Sequence, residues 1–135
     1  MHPSLSEENY LKTIYKLLEQ GRERVSTNEI GRILHTKAPS VTDMLKKLHR
    51  KGYVHYKPYY GVSFTEKGRQ RAREIVRKHR LWETFLVNTL HLPCDKVHEI
   101  AEQLEHVRSD DLTEALDRFL NHPQTDPHGQ NIPKK

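Results

Sequence analysis

Between residues 26 and 64 the hydrophobic pattern changes period twice, and that change narrows the available folds more than any other feature of the chain. Ser26 and Glu29 have the spacing of a capping box, and Val25 and Ile30 that of a hydrophobic staple. A short helix therefore starts there and runs through Ile33 and Leu34 to about His35. After a break at Thr36 and Lys37, Pro39 suits the first turn of a new helix, where a missing N–H costs nothing. Val41, Met44, Leu45 and Leu48 then recur at i, i+3, i+4 and i+7, which makes one buried stripe. Ser40, Thr42, Asp43, Lys46, Lys47 and Arg50 occupy the opposite face, and Gly52 supplies a C-terminal stop. From Tyr53 the period falls to two: Tyr53-Val54-His55-Tyr56 alternates, Pro58 and Gly61 mark a turn, and Val62-Ser63-Phe64 returns. Two short helices with a tight break, followed at once by a hairpin, predict a winged helix-turn-helix.

The flanking segments are helical. Tyr10, Leu11, Ile14, Tyr15, Leu17 and Leu18 predict a first helix over about 6–20, ended by Gly21. Thr65 can cap a long helix over about 66–90, with Ala72, Ile75, Val76, Trp82 and Leu86 near one stripe. His91-Leu92-Pro93 breaks it; a fifth helix follows over about 95–107, and Ser109 caps a sixth ending near Leu120. The last fifteen residues hold three prolines and little to bury, so an irregular tail is expected. The fold class is mainly α: a winged helix-turn-helix DNA-binding domain over 1–73, then an all-helical metal-binding and dimerisation domain over 74–135.

Charge follows the same division. Residues 22–80 hold 16 Lys/Arg against 5 Asp/Glu, whereas residues 81–135 hold 5 against 10. A basic half suggests a polyanionic partner. At 135 residues and 34% hydrophobic content the chain is one small domain or one and a half, which excludes a large multidomain enzyme. No run approaches the roughly 18 apolar residues of a membrane span, and the N-terminus lacks an apolar signal core. The single Cys94 fits a reducing compartment, so a cytoplasmic protein with no membrane partner is expected.

A helix fits the major groove of double-stranded DNA and offers short polar side chains to base edges. Ser40, Thr42 and Asp43 lie where base reading is expected, and Ala38 and Pro39 at the start of the same helix are further DNA-binding candidates. Lys37, Lys46, Lys47 and Arg50 are candidates for phosphates, which supply affinity without sequence information. Lys57, Tyr59 and Tyr60 at the wing tip are placed for the backbone or the minor groove.

A second signal is a set of histidines and glutamates. His79 and Glu83 are one helical turn apart, and His98, Glu102, Glu105 and His106 form a ridge beside the apolar arc of Val97, Ile100, Ala101 and Leu104. Charged groups along the edge of a buried stripe are costly unless paired. A divalent cation is one such partner, and mixed N/O ligands suit manganese, ferrous iron or zinc. An ordinary solvated polar face is the competing reading. His35, His49 and His55 lie in the DNA-binding unit, His122 and His128 flank the tail unassigned, and Cys94 reads as a packing or exposed thiol.

Together these features resemble the family of metal-dependent repressors typified by the diphtheria toxin repressor and the manganese transport regulator. The resemblance is carried by SEENYLKTIYKL, APSVTDMLKKL, GVSFTEKG, RKHRLWETFL and KVHEIAEQLEHVRSD. DPHGQNIP looks like the segment preceding a third, SH3-like domain in longer members, so a short form, natural or truncated, is expected. The resemblance implies a homodimer on an inverted-repeat operator, with Mn2+ or Fe2+ as corepressor and Zn2+, Co2+ or Ni2+ as surrogates. It implies Glu102, Glu105 and His106 as primary ligands and His79, Glu83 and His98 as ligands of a second site. Asn9 stands where the manganese branch has aspartate and the iron branch methionine; its amide oxygen can ligate without charge. Lys12 replaces a glutamate ligand of the manganese branch, and Glu102 replaces the iron branch's cysteine. Two rivals are a winged-helix regulator indifferent to metal, and a metal-dependent hydrolase, for which no nucleophile or phosphate loop stands out.

Overall fold

The computed structural model describes residues 2–135. In chain order they form α1 (Leu5–Leu18), α2 (Thr27–Leu34), α3 (Ala38–Arg50), β1 (Val54–Lys57), β2 (Gly61–Phe64), α4 (Glu66–Asn88), α5 (Val97–Leu104) and α6 (Asp110–Phe119). Two compact units result, Met1–Arg73 and Glu74–Lys135.

In the first unit the core is built from one stripe of each helix: Leu11 and Ile14 of α1, Ile30 of α2, and Val41, Leu45 and Leu48 of α3 are fully buried. Both capping boxes are made of the same chemistry. Ser26 Oγ accepts the Glu29 N–H, and the Glu29 carboxylate accepts the Ser26 N–H at 3.1 Å. A second box at Ser4 and Glu7 starts α1 one residue earlier than the apolar periodicity indicates. Glu7 is buried and its Oε2 lies 2.8 Å from Lys51 Nζ, which ties the start of α1 to the end of α3. Burial alone would raise the Glu7 carboxyl; the Lys51 ammonium and the Ser4 donors outweigh it and hold it below its ordinary value.

The break between α2 and α3 is tight because His35 turns left-handed (φ 52°) and the Thr36 N–H bonds back to the Gly31 carbonyl. A Cβ on Gly31 would stand 2.7 Å from the Thr36 carbonyl oxygen, so only glycine allows this approach. The hairpin is antiparallel with Val54 opposite Phe64 and Lys57 opposite Gly61, and Val25, outside both strands, bridges to Val62 of β2. Thr65 Oγ1 accepts the Gly68 N–H at 3.0 Å and so caps α4, as its position indicates.

In the second unit Leu81, Leu116 and Ile132 form a buried cluster against which Trp82, Phe85 and Leu120 pack. Ile132 belongs to the tail, so the expectation of a segment with little to bury is corrected. Thr125 pairs with Asn131, the Arg80 guanidinium donates to the Asn131 carbonyl, and both Asp126 and Ile132 are buried. The prolines and Gly129 bend the tail back onto its own unit. The fifth helix is shorter than its predicted span, because residues 94–96 form a turn after Pro93 and Glu105 serves as the C-cap. Ile100, placed on its apolar arc, is exposed, while Val97 and Ala101 are buried. No helix among the described residues is long and apolar enough to cross a membrane.

Candidate metal centre and nucleic-acid interface

The 3.6-residue period of α4 puts His79 and Glu83 on one face, and both are buried. His79 is gripped from both sides: Nδ1 lies 2.6 Å from Glu105 Oε1, and Nε2 lies 3.3 Å from Glu83 Oε1. His98 comes from α5, its Nδ1 3.2 Å from His79 Nε2 and 3.6 Å from Glu83 Oε2. Each of His79, Glu83 and His98 offers a ligand atom within 4.8 Å of the others.

Glu83 also belongs to a second group of the same kind, with Asp126 and His128. His128 Nδ1 lies 3.5 Å from Glu83 Oε2, and Asp126 Oδ1 accepts the N–H groups of His128 and Gln130 at 2.9 and 2.8 Å. Sequence reasoning left these two tail residues unassigned. The signal available was D-x-H between prolines, which means little until the fold carries it to Glu83.

Three of the remaining candidates lie beside these groups in the second unit. Glu105 is fully buried and divided between His79 and His106, whose Nε2 is 3.3 Å from Glu105 Oε2. Glu102 is half exposed, with Oε1 3.4 Å from His98 Nε2. Asn9 sits half-buried on α1, in the first unit.

Electrostatically the carboxylates of the cluster favour the charged form of His79. Burial alone would lower His79, but Glu105 and Glu83 raise it above its ordinary value. Burial alone would raise Glu83, but His79, His128 and His98 bring it below. Two buried oxygens, Glu83 Oε2 and Asp126 Oδ2, accept no hydrogen bond among the described residues. Buried carboxylate oxygens of that kind are expensive, and the mixed imidazole and carboxylate donors match a first-row divalent ion. The residues present fit such an ion.

The DNA-binding candidates lie on α3 and the wing of the first unit. Lys37 is the N-cap of α3, and Ala38, Pro39 and Ser40 form its exposed first turn. Asp43, Lys46, Lys47 and Arg50 are exposed on the face opposite Val41, Leu45 and Leu48, and Thr42 is half-buried. Lys57 and Tyr60 are exposed on the wing, and Tyr59 at its tip is fully exposed with φ 70°. In the second unit Ile100, Val107, Leu112 and Phe119 are exposed apolar side chains.

A winged helix-turn-helix joined to a helical unit bearing a His/carboxylate cluster defines the class of metal-responsive DNA-binding regulators. Comparison with known proteins gives the family. Residues 4–62 match the iron dependent repressor N-terminal DNA-binding domain, and residues 65–134 match the iron dependent repressor metal-binding and dimerisation domain. The chain belongs to the iron-dependent repressor family. It is 42% identical over 117 residues to an uncharacterised HTH-type transcriptional regulator of Methanocaldococcus jannaschii, spanning 87% of this chain and 94% of that one. It is 38% identical over 126 residues to the iron-dependent repressor of Mycobacterium tuberculosis, spanning 93% of this chain and 54% of the relative. A solved manganese-dependent transcriptional repressor in complex with manganese superposes with a TM-score of 0.86 at 40% identity, over 95% of this chain and 58% of that one. The chain thus spans little more than half the length of these two metal-dependent relatives.

Proposed function

We propose that this protein is a metal-dependent transcriptional regulator, a repressor of metal-uptake genes, with Mn2+ or Fe2+ as corepressor. Its working form is a homodimer on an inverted-repeat operator in double-stranded DNA, acting in the cytoplasm and catalysing no reaction. The observation that carries the reading is the convergence of His79 and His98 on Glu83, with a buried Glu83 oxygen that accepts no hydrogen bond among the described residues.

The ligands we assign are His79, Glu83 and His98, joined through Glu83 by Asp126 and His128. Glu105 orients His79 through Nδ1 and also takes part with Glu102 and His106. A bound divalent cation would supply fixed positive charge beside these buried carboxylates. His79 must lose its proton for Nε2 to ligate, so metal and proton compete for one position. Lys37, Lys46, Lys47, Arg50 and Lys57 hold phosphates, Ala38, Pro39, Ser40, Thr42 and Asp43 meet bases or sugar edges, and Tyr60 of the wing meets the DNA backbone. Metal then acts by population shift, favouring the dimer whose two winged helices match the operator, with a coupling of about 1–3 kcal/mol.

Calorimetric titration of chelator-stripped protein with Mn2+, then with Fe2+ under anaerobic conditions, tests the reading. Micromolar or tighter binding that His79→Ala abolishes is expected. Absence of binding of either ion removes the metal from the account.

A further inference from the structure

The metal cluster and α3 leave unused a groove between the wing and the loop before α2. It has a volume of about 350 Å³ and is lined by Arg24, His49, His55, Lys57 and Tyr60 among others, with no carboxylate in its wall among the described residues. Arg24 is fixed there by the backbone. Its neighbour Val25 exchanges two hydrogen bonds with Val62, at 3.0 and 2.9 Å, so the loop is stitched to β2 by an isolated antiparallel bridge. Gly61 makes this possible: at φ 90°, a Cβ there would stand 2.6 Å from the Val25 carbonyl oxygen. Two cations then lie against the Tyr60 ring, with Arg24 Cζ 5.8 Å and Lys57 Nζ 4.8 Å from its centroid. His49, at the end of α3, is held to β1 through Nδ1, 3.2 Å from the Val54 carbonyl oxygen.

We propose that this groove is a seat for a DNA backbone phosphate, with Arg24 and Lys57 as its charged ligands and Tyr60 as the residue that positions them. The inference rests on the DNA-binding reading above and extends it to a residue outside the helix-turn-helix. Two cations held 5–6 Å or less from one ring repel each other, and a phosphate between them relieves that repulsion. A guanidinium presents a planar fork suited to a phosphate diester. Stacking on Tyr60 orders both side chains beforehand, so less conformational freedom is lost when the duplex arrives. The contact carries no base information, so its effect is uniform across sequences.

The test uses the metal-loaded full chain and two labelled duplexes, one selected by the protein from a random pool and one unrelated. Binding is measured by anisotropy over a range of salt concentrations. Arg24→Ala is expected to weaken both duplexes by the same factor, about fivefold at physiological salt. It should also lower the magnitude of the log K against log[salt] slope by about 0.9 per bound chain. Tyr60→Phe should keep the wild-type slope, and Tyr60→Ala should lose as much as Arg24→Ala. Arg24 is exposed, so the variant should fold, which an unchanged melting temperature and metal titration verify. An unchanged slope in Arg24→Ala, or a loss confined to the selected duplex, overturns the phosphate seat. Saturable binding of inorganic phosphate to the groove with the duplex slope unchanged assigns it to a free anion and overturns it equally. If the wild type binds neither duplex, the DNA-binding reading fails first and the seat with it.

Discussion

Glu83 is the residue on which the two ligand groups meet, so Glu83→Gln is the sharpest perturbation of the metal centre. The amide keeps the shape and removes the charge that faces His79 at 3.3 Å, His128 at 3.5 Å and His98 at 3.6 Å. Loss of an outer partner of a metal ligand typically lowers affinity about 10–100-fold; an inner ligand shared by both groups therefore sets a floor of about 100-fold. Linkage converts this into stability. With free Mn2+ at 100 times the wild-type Kd, binding stabilises the native state by about 2.7 kcal/mol; with the Kd raised 100-fold the gain falls to about 0.4 kcal/mol. For a chain of this size about 1 kcal/mol corresponds to roughly 4 °C in Tm. Manganese should raise the wild-type transition by about 10 °C and that of Glu83→Gln by about 1–2 °C. Scanning calorimetry at fixed free Mn2+ measures both, with His98→Ala and Asp126→Asn as variants that each touch only one group. A full metal-induced rise in Glu83→Gln would refute the assignment of Glu83 as a ligand. Equal rises in all three variants and wild type would remove the whole centre.

Three further outcomes follow from the geometry. Because its carboxylate partners hold His79 protonated to higher pH than a free imidazole, Mn2+ affinity should rise with pH through that region, by up to tenfold per pH unit while one proton is displaced. Titrations between pH 6 and 8 measure it, and a flat profile contradicts the competition. Glu7 is held below its ordinary carboxyl value, so its contribution to stability is present above the unfolded value of 4.5 and is lost as pH falls through the folded one. Lys51→Ala leaves that carboxylate buried without its ammonium and should cost about 2–3 kcal/mol near neutrality, less below pH 4, as denaturant melts can show. Gly68→Ala would place a Cβ 1.8 Å from the Tyr53 carbonyl oxygen and should destabilise the first unit by more than about 3 kcal/mol, with metal binding measured separately by calorimetry.

Much of the fold was legible because its signals are local. The Ser26 box, Pro39, the Val41-Leu45-Leu48 stripe and the switch to period two each depend on a few adjacent residues, and each appears in the structure, the strand starting at Val54, one residue after Tyr53. The Ser4–Glu7 box was equally local and was passed over because the apolar periodicity begins later. What sequence could not show was tertiary. Asp126 and His128 reach Glu83 only because Ile132 is buried beside Leu81 and Leu116, which folds a polar, proline-rich tail back onto its own unit. Arg24 reaches Tyr60 only through the Val25–Val62 bridge, a single pairing with no periodicity to announce it. The ridge on α5 was legible as spacing, yet its members divide: Glu105 is sealed between two imidazoles while Glu102 faces solvent beside His98.

The central claim is that metal and DNA are coupled, and one experiment addresses it directly. Chelator-stripped protein is titrated into a labelled duplex selected from a random pool, with and without saturating Mn2+, and anisotropy is recorded. A coupling of about 1–3 kcal/mol predicts that metal tightens binding about 5- to 150-fold, and that Glu83→Gln abolishes the gain while keeping residual affinity for unrelated DNA. Equal affinity with and without Mn2+ and Fe2+, in protein shown to bind the duplex, contradicts the account: the winged helix would stand and the metal sensor would not.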